Sequence, residues 1–451
     1  MSYAWTFWAI WQALLKPFAW AHFTIIGFRY FVEWITGLAL LVDEHTVTGS
    51  VTALDRLEDW RALERFAEYG RWDRVAVTAT ATRAVERAPG RLWHGYRVSA
   101  VDDTKVHRNS PNVWGTCTFH EYTARCPNRA TTVRAHNWVV CGALLANPGK
   151  PPWFLPLSGW LYFRKSQLPV CPDDPESTEV FHTKCELLVD LFREQAGITD
   201  GPHLGVFDGA YAVTSVIQPL ILPAEGLPHI DFLTRLRHDA RLYGPLPQPC
   251  RANQKWGRKL PPPRQGGWWS GPWHTGKAFI YGREREVRWK EIVCFWHVSG
   301  PKVPVKVVAA EVEGYTERFT LVTSAVELTG LEMVELFAAR FRQEDGFRDL
   351  KQRLGWEECR AWTKNPIERT SQALWVTMTL LRLAQFQLEA QRLEKGTWWS
   401  APPWWPTKAR PSVLDVLRLV RNSRAEILQL LSEWLGIAGT DTPHGSVDTG
   451  P

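Results

Sequence analysis

Three acidic positions stand at the ends or within the apolar stretches of this sequence. Asp102-Asp103 follows the run Val98–Val101, Asp208 ends Gly205-Val206-Phe207 and precedes Gly209, and Glu344 lies inside the segment Phe337–Lys351. Asp and Glu are rarely buried unless they are paired or bind a metal. Carboxylates drawn to one place are the oxygen ligands that hard cations such as Mg²⁺ or Mn²⁺ require. Two such ions about 3.5–4 Å apart activate the attacking oxygen and stabilise the leaving oxygen at a phosphodiester. Each aspartate taken alone is equally well a turn or capping residue, because Asp-Asp-Thr and Asp-Gly are good turn sequences.

The third segment is the most informative. At about 100° per helical residue, Phe337, Arg340, Glu344 and Lys351 fall within roughly 60° of one another. They form one stripe bearing a ring, a guanidinium, a carboxylate and an ammonium. Glu344 then faces inward while Arg340 and Lys351 are placed to hold phosphates. A solvated face with an Arg/Glu pair at i, i+4 has the same spacing.

The elements that must position these groups follow from periodicity and turn chemistry. Residues 1–95 read as a separate helical domain, with a break at Asp43-Glu44-His45-Thr46 where Thr46 caps the next helix. From Tyr96 the texture turns to β-branched and aromatic runs: strands are expected at 97–101, 138–145, 153–163, 204–207 and 230–233. Helices are expected at 177–195 and 211–220. That order predicts an α/β fold with an RNase H-like mixed sheet as its core, built from residues 96–235 and 326–395. Residues 236–325 interrupt it as a basic, β-rich insertion with strands at 287–296, 302–312 and 317–323. A long helix from near Leu331 carries the chain past Lys351, and another follows at 368–390. Residues 396–451 read as a Trp/Pro-rich linker, a helix capped by Ser412 and ending near Leu435, and a disordered tail.

The chain has 451 residues and a net charge of +6, and charge is unevenly placed. Between Arg235 and Lys290 there are 13 Lys and Arg against 3 Asp and Glu, a surplus larger than that of the whole chain. This suits a polyanion. Arg235, Arg237, Arg241, Lys255, Arg258 and Lys259 are its candidate phosphate contacts, with salt-sensitive affinity. Trp268 and Trp269, with Trp256 and Trp273, are interleaved with these charges and are candidates to stack on a base, although packing explains any one of them. Eight cysteines without paired C-x-x-C spacing read as reduced thiols of a cytoplasmic protein. Cys117, His120 and Cys126 lack a fourth ligand at zinc spacing. The apolar stretch Phe18–Val42 is long enough to span a bilayer, but His22, Arg29 and Glu33 interrupt it. A buried helix pair is the reading, and no membrane partner is expected.

The segment Phe337–Lys351 resembles the Tyr-x2-Arg-x3-Glu-x6-Lys signature of bacterial insertion-sequence transposases of the DDE superfamily, with Phe337 in place of the tyrosine. Val101-Asp102-Asp103-Thr104, Phe207-Asp208-Gly209-Ala210-Tyr211, His136–Val140, Arg235–Tyr243 and Phe347–Gly355 are similar to further stretches of that family, in the same order. The resemblance implies an RNase H-like core that cuts DNA and joins the freed 3′-OH to a target. It implies that Asp103, Asp208 and Glu344 bind two divalent ions, Mg²⁺ with Mn²⁺ able to substitute. Asp103 is preferred to Asp102 because the family's aspartate directly precedes the threonine. Phosphate contacts for Arg340 and Lys351, terminal inverted repeats and target DNA as partners, a homodimer on paired ends, and a bacterial, nucleoid-associated location are implied as well. Two other readings stay open: another nuclease on the same fold, and an inactive or domesticated DNA-binding relative.

Overall fold

A computed structural model describes residues 2–21, 23–121, 131–147, 150–263, 271–391 and 398–436. At its centre the strand Tyr96–His107 pairs antiparallel with Thr132–Leu145, which pairs antiparallel with Trp153–Tyr162. On its other side the strand pairs in parallel with His203–Phe207, and that strand in parallel with Asp231–Arg235. Phe319–Thr323, Pro304–Val312 and Arg283–Trp296 then continue the same sheet, each antiparallel to the last. This mixed sheet with helices on both faces is the RNase H-like core expected from the element order, and strands of the basic segment extend it.

Strand alternation divides the interior. Val98, Ala100 and Val140 face one core, shared with the N-terminal helices and with the long helix Lys364–Ala390. Val101, Val139 and Cys141 face a second core under the helices Lys184–Ala196 and Thr214–Ile221. The two faces are therefore covered by different helices. The register shift between Cys141 and Gly142 depends on the glycine, since a Cβ there would lie 2.4 Å from the Phe154 ring.

Several boundaries differ from the sequence expectation, each for a local reason. The central strand does not close at Val101 but runs on to His107, because Thr104 and Val106 keep the β-branched pattern and pairing with Thr132–Leu145 continues. The helix expected from 177 begins at Lys184, where Thr183 and Glu186 form a capping box, while Asp174–Thr178 is a short strand. The long helix through Lys351 is two helices, Gly330–Ala339 and Arg342–Arg353, broken at Arg340-Phe341, where 340 and 341 bond back three residues. The last helix is likewise two, Val413–Asn422 and Arg424–Leu435. Thr46 does cap a helix, Val47–Ala53. Among the described residues no helix is long and apolar enough to cross a membrane.

His136, on the strand Thr132–Leu145, is fully buried, and its Nε2 donates to the Trp114 carbonyl at 2.8 Å. Burial, aided by the Arg108 guanidinium, pushes its pKa from 6.5 down to about 3. The folded ring stays neutral while the unfolded one protonates below pH 6.5, so its contribution is full above that value and is lost as pH falls toward 3. At pH 5 the loss is about 2 kcal/mol. Denaturant unfolding at pH 7.5 and 5 is expected to show wild type losing about that much more than His136→Gln; equal losses would refute the assignment.

Candidate active site

The parallel partner His203–Phe207 pairs with the central strand only as far as Ala100, so Asp102 and Asp103 project where that neighbour has ended. Asp208 stands directly after Phe207, on the adjacent strand and at the same end. Its side chain accepts from the Ala210 N–H at 3.2 Å and caps the short turn Gly209–Tyr211. Carboxylates at the carboxyl ends of adjacent parallel strands occupy the usual ligand crevice of such sheets.

Alternation turns the two neighbouring aspartates to opposite faces. Asp102 accepts from Arg340 Nη1 at 2.9 Å, and Arg340 Nη2 lies 3.7 Å from Asp208. One guanidinium at the break between two helices thus spans two acids that are 106 positions apart in sequence. Burial pushes the Asp102 carboxyl up to about 6, with Asp103 and Asp208 adding to the rise and Arg340 opposing it. Asp103 instead accepts from Lys184 Nζ at 2.6 Å and from the Tyr211 hydroxyl at 2.8 Å. Burial and the Asp103 charge raise the Tyr211 pKa, so its hydroxyl remains a donor.

The helix Arg342–Arg353 is held over the central strands by Gln343, whose Nε2 donates to the Val140 carbonyl at 3.0 Å, and by Lys351, which donates to the Lys105 carbonyl at 2.5 Å. Burial lowers the Lys351 pKa, and Glu357, 3.7 Å away, opposes that shift. Glu344 lies between these anchors and is exposed, not turned inward as the stripe predicts, because the break at Arg340-Phe341 reorients the second helix relative to the first. Tyr281, at the tip of the hairpin joining His274–Ile280 to Arg283–Trp296, packs edge-on against Phe341 with ring centroids 5.4 Å apart and feels the charges of both Arg340 and Glu344. The arginine of the stripe therefore meets the aspartates, the lysine meets their strand, and the glutamate sits between the two. Arg340 also lies over the Phe337 ring, 5.7 Å from its centroid.

Among the described residues no three His, Cys, Asp or Glu side chains lie close enough together to hold an ion as they stand. The chemistry of the donors nonetheless fits a divalent metal. Asp102 and Asp208 converge on one guanidinium, with Asp103 next to Asp102, so carboxylate oxygens gather at this corner. Hard oxygen donors are what Mg²⁺ selects.

The basic segment presents its charges outward: Arg235, Arg237, Arg241, Lys255, Arg258 and Lys259 are all exposed. Arg237 pairs with Asp239 at 3.0 Å and Arg235 with Glu317 at 3.5 Å. Trp256 packs between Tyr243 and His297, and Trp273 lies beneath Arg288, Lys290 and Arg318. Packing thus accounts for both rings. Trp268, Trp269 and Cys126 lie outside the described residues. Lys184 and Tyr281 had no signal in the sequence, since only the fold brings their elements to the aspartates.

A family model described as DDE superfamily endonuclease matches residues 27–292. This span takes in Asp102, Asp103 and Asp208 and stops short of Glu344. No curated protein matches the chain.

Proposed function

The chain belongs to the DDE superfamily endonucleases, and from that premise we propose that it is a DNA transposase. Its metal-binding carboxylates are Asp208, Glu344 and an aspartate of the Asp102-Asp103 pair. The resemblance nominates Asp103, whereas the contacts of Arg340 favour Asp102 as the partner of Asp208. Divalent ions bound there, Mg²⁺ or Mn²⁺ in its place, would supply activation of the attacking oxygen and stabilisation of the leaving one.

In the proposed reaction water adds to the scissile phosphorus and the P–O3′ bond breaks, leaving a 5′-phosphate and a 3′-OH. That hydroxyl then attacks a phosphorus of the target strand, giving up its proton as a second O3′ leaves. The residues of this chain bind and orient. Arg340 and Lys351 hold phosphates of the cut strand, Lys184 and Tyr211 fix Asp103, and the exposed cations from Arg235 to Lys259 track the backbone of the bound ends. The N-terminal helices recognise terminal repeats, and two copies pair the ends.

The observation that carries this reading is Arg340 spanning Asp102 and Asp208, with Glu344 on the helix that begins two residues later. The test is a strand-transfer assay on DNA ending in the sequences that flank the gene. Joined products are expected with Mg²⁺ or Mn²⁺ and none with EDTA; joining that survives EDTA would refute it. Arg340→Lys keeps the charge but loses the planar fork. It is expected to lower the cleavage rate about thirtyfold, the equivalent of about 2 kcal/mol for one charge-assisted hydrogen bond. An unchanged rate would remove Arg340 from the site.

A further inference from the structure

A second basic surface lies beside the candidate site, and none of its lysines and arginines comes from the segment that carries the chain's charge surplus. The helix Arg342–Arg353, the end of Lys364–Ala390, the start of Trp153–Tyr162 and the segment 402–418 enclose a cleft of about 980 Å³. Eight Lys and Arg line it against three Asp and Glu, a surplus of five positive charges. Arg382 is held in its wall by Asp349 at 2.8 Å; Arg348 and Arg418 pair with Asp345 at 2.8 Å and Asp415 at 3.4 Å, yet their side chains remain 57% and 44% exposed. Two tryptophans on one lip face solvent, Trp404 at 79% and Trp405 at 55% exposure. Tyr281, which packs against Phe341 beside Arg340, also lines the cleft, so the cleft reaches the edge of the candidate site.

We propose that this cleft binds a single DNA strand that runs from the cut site along the outer face of the helix carrying Glu344. The inference rests on the nuclease reading and adds a binding surface to it. Positive charge alone would suit any polyanion, but exposed indoles beside arginines are the combination that stacks bases while pairing phosphates. A run of Asp and Glu has no rings for Trp404 and Trp405 to stack on.

The test uses the full chain in EDTA, with fluorescence anisotropy of a labelled oligothymidine of about twenty nucleotides across a salt series. Arg348→Gln/Arg418→Gln is expected to weaken binding about tenfold and to flatten the salt dependence by about 1.4 in log–log slope, two phosphate contacts' worth on a single strand. Trp404→Ala/Trp405→Ala is expected to weaken it about tenfold with the slope unchanged. Both pairs are surface groups, so melting temperatures should match wild type. Binding by both variants equal to wild type overturns the cleft and leaves the nuclease reading intact. A wild-type chain that binds no DNA overturns both. Tighter binding of a poly-glutamate peptide than of the oligonucleotide assigns the cleft to a protein partner and overturns the proposal.

Discussion

Asp208→Asn is expected to lower DNA cleavage by at least about a thousandfold while leaving the fold intact. The amide keeps an acceptor for the Ala210 N–H, so the turn Gly209–Tyr211 retains its cap. What is lost is negative charge, at a position already half in solvent, where no packing depends on it. If the carboxylate holds a cation that stabilises charge in the transition state, losing several kcal/mol of that stabilisation costs three or more factors of ten. Single-turnover cleavage in Mn²⁺, together with thermal melting, reads both quantities. A folded Asp208→Asn protein that cuts within about tenfold of wild type would remove Asp208 from the chemistry.

The second large effect separates the neighbouring aspartates. Asp102→Asn is expected to be as damaging as Asp208→Asn, and Asp103→Asn to cost about tenfold. Successive strand residues face opposite sides of a sheet, so one residue of the pair shares a side with Asp208 and Arg340. Asp102 has that place, 2.9 Å from Arg340, while Asp103 is tied to Lys184 and Tyr211 on the other face. Asparagine at 103 still accepts from Tyr211 but gives up the ion pair, which releases Lys184 at the start of its helix rather than removing a ligand. Cleavage rates and Mn²⁺ affinity by calorimetry should rank the variants alike. The reverse ranking would return the ligand role to Asp103, the residue that the resemblance nominates.

Most of the core was legible because burial leaves a pattern that a single sequence carries. The runs at 97–101, 138–145, 153–163 and 204–207 are apolar and β-branched, and each lies on a strand of the central sheet. The break at 43–46 and the caps Thr46 and Ser412 were readable from side-chain chemistry. Boundaries set by neighbours were not. The extension of the central strand to His107 depends on pairing with Thr132–Leu145, which no local window contains. The break at Arg340-Phe341 lacks Gly or Pro to announce it, and it interrupts the ideal helix that a single stripe requires.

For the site, spacing turned Glu344 inward and pointed Arg340 and Lys351 at phosphates; in the fold Arg340 and Lys351 bond to the aspartates and their strand while Glu344 is exposed, because the helix is broken at Arg340-Phe341. What spacing could not decide was which of Asp102 and Asp103 looks toward them. That depends on the register of a strand whose end was misplaced, and a one-residue change of register reverses every side chain. The roles of Lys184 and Tyr281 are tertiary in origin, set by the helix under the sheet and by a hairpin reaching across it.

The most direct test of the central claim is anomalous diffraction from crystals of the wild-type chain grown with Mn²⁺ and an uncleavable DNA end. Manganese peaks are expected between Asp208, Glu344 and an aspartate of the 102–103 pair, with Arg340 drawn off the acids and onto a phosphate. Manganese absent from that corner while DNA is bound, or Glu344 still turned to solvent away from any ion, would contradict it.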